Sequence, residues 1–115
     1  MKITVQSIRF NADKKLLDFI QKKVDKLDTF FDHIINGEVY LKLENVEDEA
    51  NKITEIKLML PGSLIFAKEQ CKTFEEATDL AVESLRKQIE KYKQKKTVAA
   101  EVAKKAAFIT ETGSF

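Results

Sequence analysis

Residues 73–96 read TFEEATDLAVESLRKQIEKYKQKK and have the pattern of an amphipathic helix. Thr73 and Glu76 form a capping-box pair, in which each side chain can accept a hydrogen bond from the other residue's backbone N–H. Apolar side chains then recur every three or four residues, which places them on one face of a helix. These side chains belong to Phe74, Ala77, Ala81, Leu85, Ile89 and Tyr92. The stretch therefore predicts a helix that packs against the rest of the chain along one face.

The charges of this helix are divided along its length. Acidic residues occupy the first half and basic residues the second, the order that the helix dipole favours. Between residues 85 and 96 Glu90 is the only acid, and the cations are Arg86, Lys87, Lys91, Lys93, Lys95 and Lys96. A solvated lysine-rich face and a cationic surface that binds a polyanion would both produce this pattern. The stretch alone does not choose between them.

Length and composition indicate a single domain. At 115 residues and 13.2 kDa, the chain can form one hydrophobic core but not two. Its net charge is only +1, so overall charge does not predict nucleic-acid binding. The charges are segregated, however, because acids cluster within residues 44–55 and cations at the end of the helix. We find neither a signal peptide nor a run long enough to span a membrane, and we expect a cytoplasmic protein.

Alternation of apolar and polar residues, partial in the first case, predicts strands over residues 3–10, 38–46 and 52–60. A fourth strand is predicted over residues 63–71, but its inward side is left open because residues 64–67 are all apolar. Pro61 and Gly62 predict a β-turn between the last two strands, because proline presets one central φ and glycine permits a positive φ at the next position. The long helix follows the fourth strand. Residues 1–96 then form one domain, and we expect residues 97–115 to be a flexible C-terminal tail.

A further helix is predicted between the first two strands. Asp13 is a suitable N-cap, and we expect the helix to end within residues 32–36, with Gly37 as the stop. Its apolar stripe consists of Leu16, Ile20, Val24, Leu27 and Phe31, widened by Leu17, Phe19 and Phe30. The lysines that lie off this stripe are Lys15, Lys22, Lys23 and Lys26. This helix is therefore also predicted to expose a cationic side.

The predicted fold is α+β, in the order β-α-β-β-β-α. Two amphipathic helices and strands with one apolar face favour a four-stranded mixed sheet covered by both helices on one face. The first two strands would pair in parallel through the helix that joins them, and the others would form antiparallel hairpins. The basic sides of both helices would then point the same way, away from the sheet. This arrangement favours a cationic surface for a polyanion.

Residues for catalysis or for cofactor binding are scarce. His33 is the only histidine, so one chain cannot assemble a catalytic triad or a histidine pair for a metal. Cys71 is the only cysteine, which excludes an internal disulfide and a cysteine-cluster metal site. The chain has only three glycines and no glycine-rich phosphate loop. We therefore expect a protein that is not an enzyme, with no metal, no cofactor and no small-molecule substrate.

Spaced positions in both helices resemble the ribosome hibernation promoting factor and ribosome-associated inhibitor family, in its short single-domain form. The resemblance covers residues 2–96. In the first helix it rests on Phe19, Ile20, Lys23, Lys26, Leu27, Phe31 and Asp32. In the second it rests on Thr73, Phe74, Ala77, Asp79, Leu85, Lys87, Gln88, Lys91 and Lys93. The fold of that family, strand-helix-three strands-helix, agrees with the order predicted above.

The resemblance implies binding to the small ribosomal subunit between head and body, in the channel for messenger and transfer RNA, with inhibition of translation by occlusion. The free protein would be a monomer. Family cations correspond to Lys23, Lys26, Lys87, Lys91 and Lys93. Charge and helix face add Lys22, Arg86 and Lys95 to the predicted RNA-binding residues. Ser84 stands where many members have lysine, so either the chain lacks that RNA contact or Arg86 makes it instead.

Two other functions fit the same pattern less well. A general double-stranded RNA-binding protein can have a similar arrangement of strands followed by a helix, but this chain lacks a glycine-rich basic loop before the last helix. A protein-interaction module could use the open sheet face or the alanine-rich tail. Binding that weakens as the salt concentration rises, and that is stronger for ribosomes than for free RNA, distinguishes the ribosomal function from both alternatives.

Overall fold

The computed structural model describes residues 1–44 and 50–109, and the side chains of this part as far as residue 94. The order of elements is β-α-β-β-β-α, as predicted. The strands are β1 (Lys2–Ser7), β2 (Asn36–Leu43), β3 (Lys52–Leu60) and β4 (Ser63–Cys71). The helices are α1 (Lys14–Asp25), a 3₁₀-helix (Lys26–Thr29) and α2 (Phe74–Ile109). Because α2 continues beyond Lys96, the division between a domain and a tail at that residue stays a prediction.

The four strands form one mixed sheet in the order β1-β2-β3-β4. β1 and β2 are parallel, and the other two pairs are antiparallel. The registers place Val5, Val39, Ile56 and Ala67 in one row across all four strands. Because side chains alternate between the faces of a sheet, this row and its neighbours two residues away define one apolar face. The mixed sheet predicted from the sequence is confirmed.

Both helices cover that apolar face. α1 packs against β1, α2 packs across β3 and β4, and the two helices contact each other. Their buried side chains join those of the strands in a single cluster. The helical members of this core are Ile20, Val24, Leu27, Phe74, Ala81, Leu85 and Ile89. The helices therefore form one layer and the sheet the other.

The N-terminal caps predicted for the helices are present. The Asp13 carboxylate accepts the backbone N–H of Leu16 at 2.8 Å, and the Thr73 hydroxyl accepts that of Glu76 at 3.1 Å. Each cap satisfies a backbone donor that the first turn of a helix leaves without a partner. The first residue of each of these two helices is thus fixed by local sequence.

The end of α1 was predicted wrongly. The α-helix stops at Asp25, and the chain tightens into a 3₁₀-helix that ends before Phe30. There the Thr29 hydroxyl donates to the Lys26 carbonyl at 2.6 Å, and the backbone N–H groups of Phe30 and Phe31 both donate to the Leu27 carbonyl. Side-chain capping of this kind competes with continuation of the helix. Gly37 is consequently no helix stop but a residue of β2.

Gly37 is required for close packing within the core. A Cβ atom at this position would lie 2.9 Å from Cδ2 of the fully buried Leu58. Real Cβ atoms essentially never make contacts this short, so one of the two groups would have to move. Gly62, by contrast, has a φ of 72° and forms the predicted turn with Pro61. Here glycine is needed for backbone conformation rather than for space.

We expect Gly37→Ala to lower the free energy of unfolding by about 1–3 kcal/mol, because it overpacks a filled core. Urea denaturation with an unchanged m-value measures this change. Leu58→Ala provides the matched test, because it removes the methyl group that would clash with the new Cβ atom. The double variant should therefore lose less free energy of unfolding than the sum of the losses in the two single variants. Strictly additive losses would show that the 2.9 Å contact between the new Cβ atom and Cδ2 of Leu58 is not what destabilises Gly37→Ala.

Candidate nucleic-acid interface

The two helical segments lie side by side on the sheet and are joined by contacts at two levels. The Lys23 ammonium, near the end of α1, lies 3.1 Å from the carboxylate of Asp79 in the first part of α2. Farther along both segments, the rings of Phe31 and Tyr92 meet edge to face, with centroids 5.4 Å apart. The chain that continues from α1 therefore follows α2 in the same direction. The surface formed by the two helices faces away from the sheet, as predicted.

Three of the predicted RNA-binding cations lie in the crease between the helices and are engaged with the chain itself. Lys23 pairs with Asp79, and its ammonium also lies 5.5 Å from the centroid of the Phe19 ring. Lys93 reaches across the crease and donates to the Phe30 carbonyl at 2.9 Å. Arg86 lies 5.9 Å from the centroid of the Phe30 ring. We call Lys23, Arg86 and Lys93 the crease cations.

Arg86 is the most fully engaged of these cations. Its guanidinium donates to both carboxylate oxygens of Glu83, at 2.5 and 3.2 Å, and to Glu90 at 2.8 Å. The hydrogen bonds from Arg86 lower the pKa of the Glu83 carboxyl and raise the pKa of the guanidinium. Because these groups are partly exposed, the pairs add little to global stability. They do hold the guanidinium in one place.

Four other predicted cations are exposed and differently placed. Lys22 and Lys26 are four residues apart on the first helical segment, and Lys87 and Lys91 are four residues apart on α2. Residues at this spacing lie one above the other on a helix surface. Within residues 1–44 and 50–94, none of these four ammonium groups makes a hydrogen bond or an ion pair. We call Lys22, Lys26, Lys87 and Lys91 the outer lysines.

The outer lysines and the crease cations form different parts of one surface. Arg86 and Lys93 lie on the side of α2 that contacts the first helical segment. Gln88, on the opposite side, donates to the Phe66 carbonyl of β4 at 2.9 Å. Lys87 directly precedes Gln88, and Lys91 follows it by three residues. Both lysines therefore lie on the part of the α2 surface between the crease and Gln88, where they face solvent. The side chain of Lys95 lies outside the described residues, as do the acids Glu47, Asp48 and Glu49 of the predicted acidic segment.

Sequence patterns missed one residue of this surface. Phe30 was predicted to widen the apolar stripe of the first helix, but it is 42% exposed. The prediction failed because the α-helix ends at Asp25, so the periodicity that would turn Phe30 inward does not continue. Its ring lies beside Arg86, and its carbonyl accepts from Lys93. No signal in the sequence distinguishes Phe30 from its buried neighbours.

The opposite face of the sheet has mixed charge. Lys42 forms an ion pair with Glu55 on the neighbouring strand. The Tyr40 hydroxyl donates to Glu38 at 3.0 Å, and this hydrogen bond is the main reason why the pKa of Tyr40 is raised. Charges of both signs thus lie on this face, and Lys2, Lys57 and Lys68 are exposed there as well. Within the part of the chain that the structure describes, no helix is both long and apolar enough to cross a membrane.

Comparison with known families identifies the chain. The profile of the family described as sigma 54 modulation protein / S30EA ribosomal protein matches residues 3–97. The chain belongs to this family. The resemblance to ribosome hibernation factors drawn from the two helices is therefore confirmed.

Curated members of the S30EA family are similar over most of this chain. The ribosome hibernation promoting factor of Pseudomonas putida is 24% identical over 95 residues, which cover 83% of this chain and 89% of the relative. The ribosome hibernation promotion factor of Bacillus subtilis is 25% identical over the same share of this chain but only 50% of its own length. The chain thus spans nearly all of the first relative and half of the second.

Solved structures share the fold. The N-terminal domain of protein Y from Thermus thermophilus superposes with a TM-score of 0.69 at 26% identity, covering 80% of this chain and 99% of that domain. A ribosomal subunit interface protein from Coxiella burnetii superposes with a TM-score of 0.73 at 24% identity, covering 82% of this chain and 99% of its own. The layers described above are therefore those of the family.

The Arg86–Glu83 contact predicts a measurable titration. Because the folded pKa of Glu83 is lowered, the stabilisation from this pair is present at neutral pH and disappears as the pH falls through the folded pKa. We expect Arg86→Gln to raise the titration midpoint of Glu83, followed by carboxyl-carbon NMR. Lys57→Gln, on the other face of the sheet, serves as the control and should leave that midpoint unchanged. An identical Glu83 titration in Arg86→Gln and the parent protein would contradict this assignment.

Proposed function

We propose that this protein is a ribosome hibernation factor that binds RNA of the small ribosomal subunit. It occupies the channel for messenger and transfer RNA and inhibits translation by occlusion. The observation that carries the proposal is the set of four exposed outer lysines on two adjacent helices, in a chain that belongs to the S30EA family. The protein acts as a monomer in the cytoplasm, where its ribosomal partner is found, and it performs no enzymatic reaction.

The chemistry of the outer lysines suits ribosomal RNA. Ammonium groups that contact phosphates release condensed counterions, so binding is strong at low salt and weakens steeply as salt rises. Structured RNA is recognised largely by shape and by its backbone, which calls for cations on a rigid support. Two neighbouring helices anchored on a sheet give that support. A pair of lysines from each helix can meet phosphates on a broad RNA surface.

The crease cations have a different part in the proposed complex. Arg86, Lys23 and Lys93 are already hydrogen-bonded or ion-paired within the chain. Bringing one of them to a phosphate means breaking or sharing an existing interaction, which offsets part of the gain. We therefore assign most of the phosphate binding to the outer lysines. The crease cations add positive potential and hold the helices together.

The relatives support the biological setting of this proposal. The proteins of Pseudomonas putida and Bacillus subtilis that match this chain carry the name of ribosome hibernation factors. On the opposite sheet face, Lys42 is already paired with Glu55, and Glu38 is a second carboxylate there. Docking through the helix surface leaves that face turned away from the RNA.

We expect Lys87→Glu combined with Lys91→Glu to weaken binding to small ribosomal subunits by about tenfold or more. The slope of log affinity against log salt should become shallower by about one for each phosphate that the protein no longer neutralises. Co-sedimentation at several salt concentrations measures both quantities, and translation in vitro should be inhibited correspondingly less.

The matched control is Lys2→Glu combined with Lys68→Glu. This pair produces the same change in net charge, but both residues lie on the opposite face of the sheet, where they are exposed. It should bind with nearly the parent's affinity and salt slope. Equal weakening in the two double variants would mean that only net charge matters, and parental binding by both would remove the outer lysines from the site. Equal affinity of the parent for free RNA duplexes would instead indicate a general double-stranded RNA-binding protein.

A further inference from the structure

We infer that Phe30 is a stacking residue, whose ring receives an unpaired base of RNA beside the outer lysines. The inference rests on the proposed function and adds a second kind of contact to it. Lysines on phosphates fix the protein against the RNA backbone, whereas an aromatic ring on a base recognises a nucleotide that has left its helix. The juxtaposition of an exposed ring with two fixed cations carries this assignment.

The backbone of Phe30 is held firmly although its side chain is exposed. Its N–H donates to the Leu27 carbonyl at 3.1 Å, and its carbonyl accepts from the Lys93 ammonium at 2.9 Å. The next residue, Phe31, packs against the core and meets the Tyr92 ring. The chain is thus anchored at Phe30 itself and directly after it. The ring of Phe30 is presented at a defined place and not at the tip of a loose loop.

Arg86 supports the ring from the side of α2. Its guanidinium carbon lies 5.9 Å from the ring centroid, a distance at which a cation is attracted to the π-system. The guanidinium cannot readily turn away, because Glu83 and Glu90 hold it through three hydrogen bonds. This arrangement explains why Arg86 is so fully engaged within the chain. Arg86 therefore acts as a fixed support for the Phe30 ring and not as a free ligand for phosphate.

The surroundings of Phe30 favour RNA over protein as its partner. Single exposed apolar side chains are common and need no explanation by themselves. The other exposed phenylalanine of similar accessibility, Phe66, lies on the opposite sheet face, where Lys57 is its cross-strand partner and Met59 and Leu64 lie close by. Phe30 differs because the guanidinium of Arg86 lies over its ring and the ammonium of Lys93 donates to its carbonyl. A nucleotide offers a base that can stack on this ring, while the phosphates of the same RNA are bound by the outer lysines.

The test compares four substitutions of Phe30 in binding to small ribosomal subunits over a series of salt concentrations. Phe30→Ala should weaken binding by roughly 5- to 150-fold, the range found when one base–aromatic stack is removed. Phe30→Leu, which keeps an apolar side chain without a π-face, should weaken it nearly as much. Phe30→Tyr and Phe30→Trp should bind as the parent does. The salt slope should stay that of the parent in all four, because no phosphate contact is removed.

Phe66→Ala is the matched control, since Phe66 is also 42% exposed. It should bind as the parent does. Circular dichroism and thermal unfolding establish that every variant is folded, which we expect because Phe30 contributes little to the core. The chain contains no tryptophan, so Phe30→Trp also supplies a single fluorophore. Its emission should be quenched by single-stranded oligonucleotides, and that of Phe66→Trp should not.

Each other outcome overturns the stacking assignment in a recognisable way. Parental affinity in Phe30→Ala, together with weak binding by Lys87→Glu/Lys91→Glu, removes Phe30 from the site but leaves the proposed function standing. Parental affinity in Phe30→Leu with weak binding by Phe30→Ala indicates an apolar contact with a ribosomal protein. A parent protein that does not bind ribosomes at all refutes the proposed function, and the stacking assignment with it.

Discussion

Burial of one face of the sheet under both helices is the constraint on which the rest of this structure depends. The row Val5, Val39, Ile56 and Ala67 runs through all four strands, and α1 and α2 must both cover it. A helix that gives its apolar stripe to the sheet turns its polar side outward. Since both helices lie on the same face, their lysines are brought to one side of the molecule. A hydrophobic requirement thus creates the electrostatic surface.

The cations on that surface divide into two groups for a physical reason. Near the contact between the helices, carboxylates and carbonyls lie within reach, and Lys23, Arg86 and Lys93 bind them. Farther from the contact, the ammonium groups of the outer lysines face solvent. Lys23 and Lys93 join the first helical segment to α2, whereas the hydrogen bonds of Arg86 stay within α2. The second group keeps its capacity to bind phosphate, so both rigidity and affinity come from the same residue types.

Phe30 illustrates how a local change of helix type alters a surface. A regular α-helix through residue 31 would have turned Phe30 toward the apolar stripe. The 3₁₀-helix at Lys26–Thr29 instead leaves its ring outside, while Leu27 remains fully buried and Phe31 still packs against the core. A ring in that position can contribute selectivity for unpaired bases, which lysines bound to phosphates do not provide. In the proposed complex, a salt-dependent contact would thereby be combined with one that salt affects little.

Sequence patterns were sufficient to predict the order of elements, the inward sides of β2 and β3, the helix caps at Asp13 and Thr73 and the turn at Pro61 and Gly62. The caps and the turn depend on neighbours within a few residues, and the strand faces follow from alternation. The sequence also predicted that lysines of both helices lie away from the core. The folded structure was needed to show which side of β4 faces the core, where α1 ends, why Gly37 must be small, which cations are paired and that Phe30 is exposed. The size of residue 37 and the contact of Phe30 with Arg86 depend on residues far apart in the chain, since Gly37 packs on Leu58. The end of α1 involves only near neighbours, but the hydroxyl of Thr29 has several possible acceptors, and periodicity does not indicate which one it binds. Periodicity assigns a residue to a helix face, but the packing of a second helix beside it decides which side chains meet.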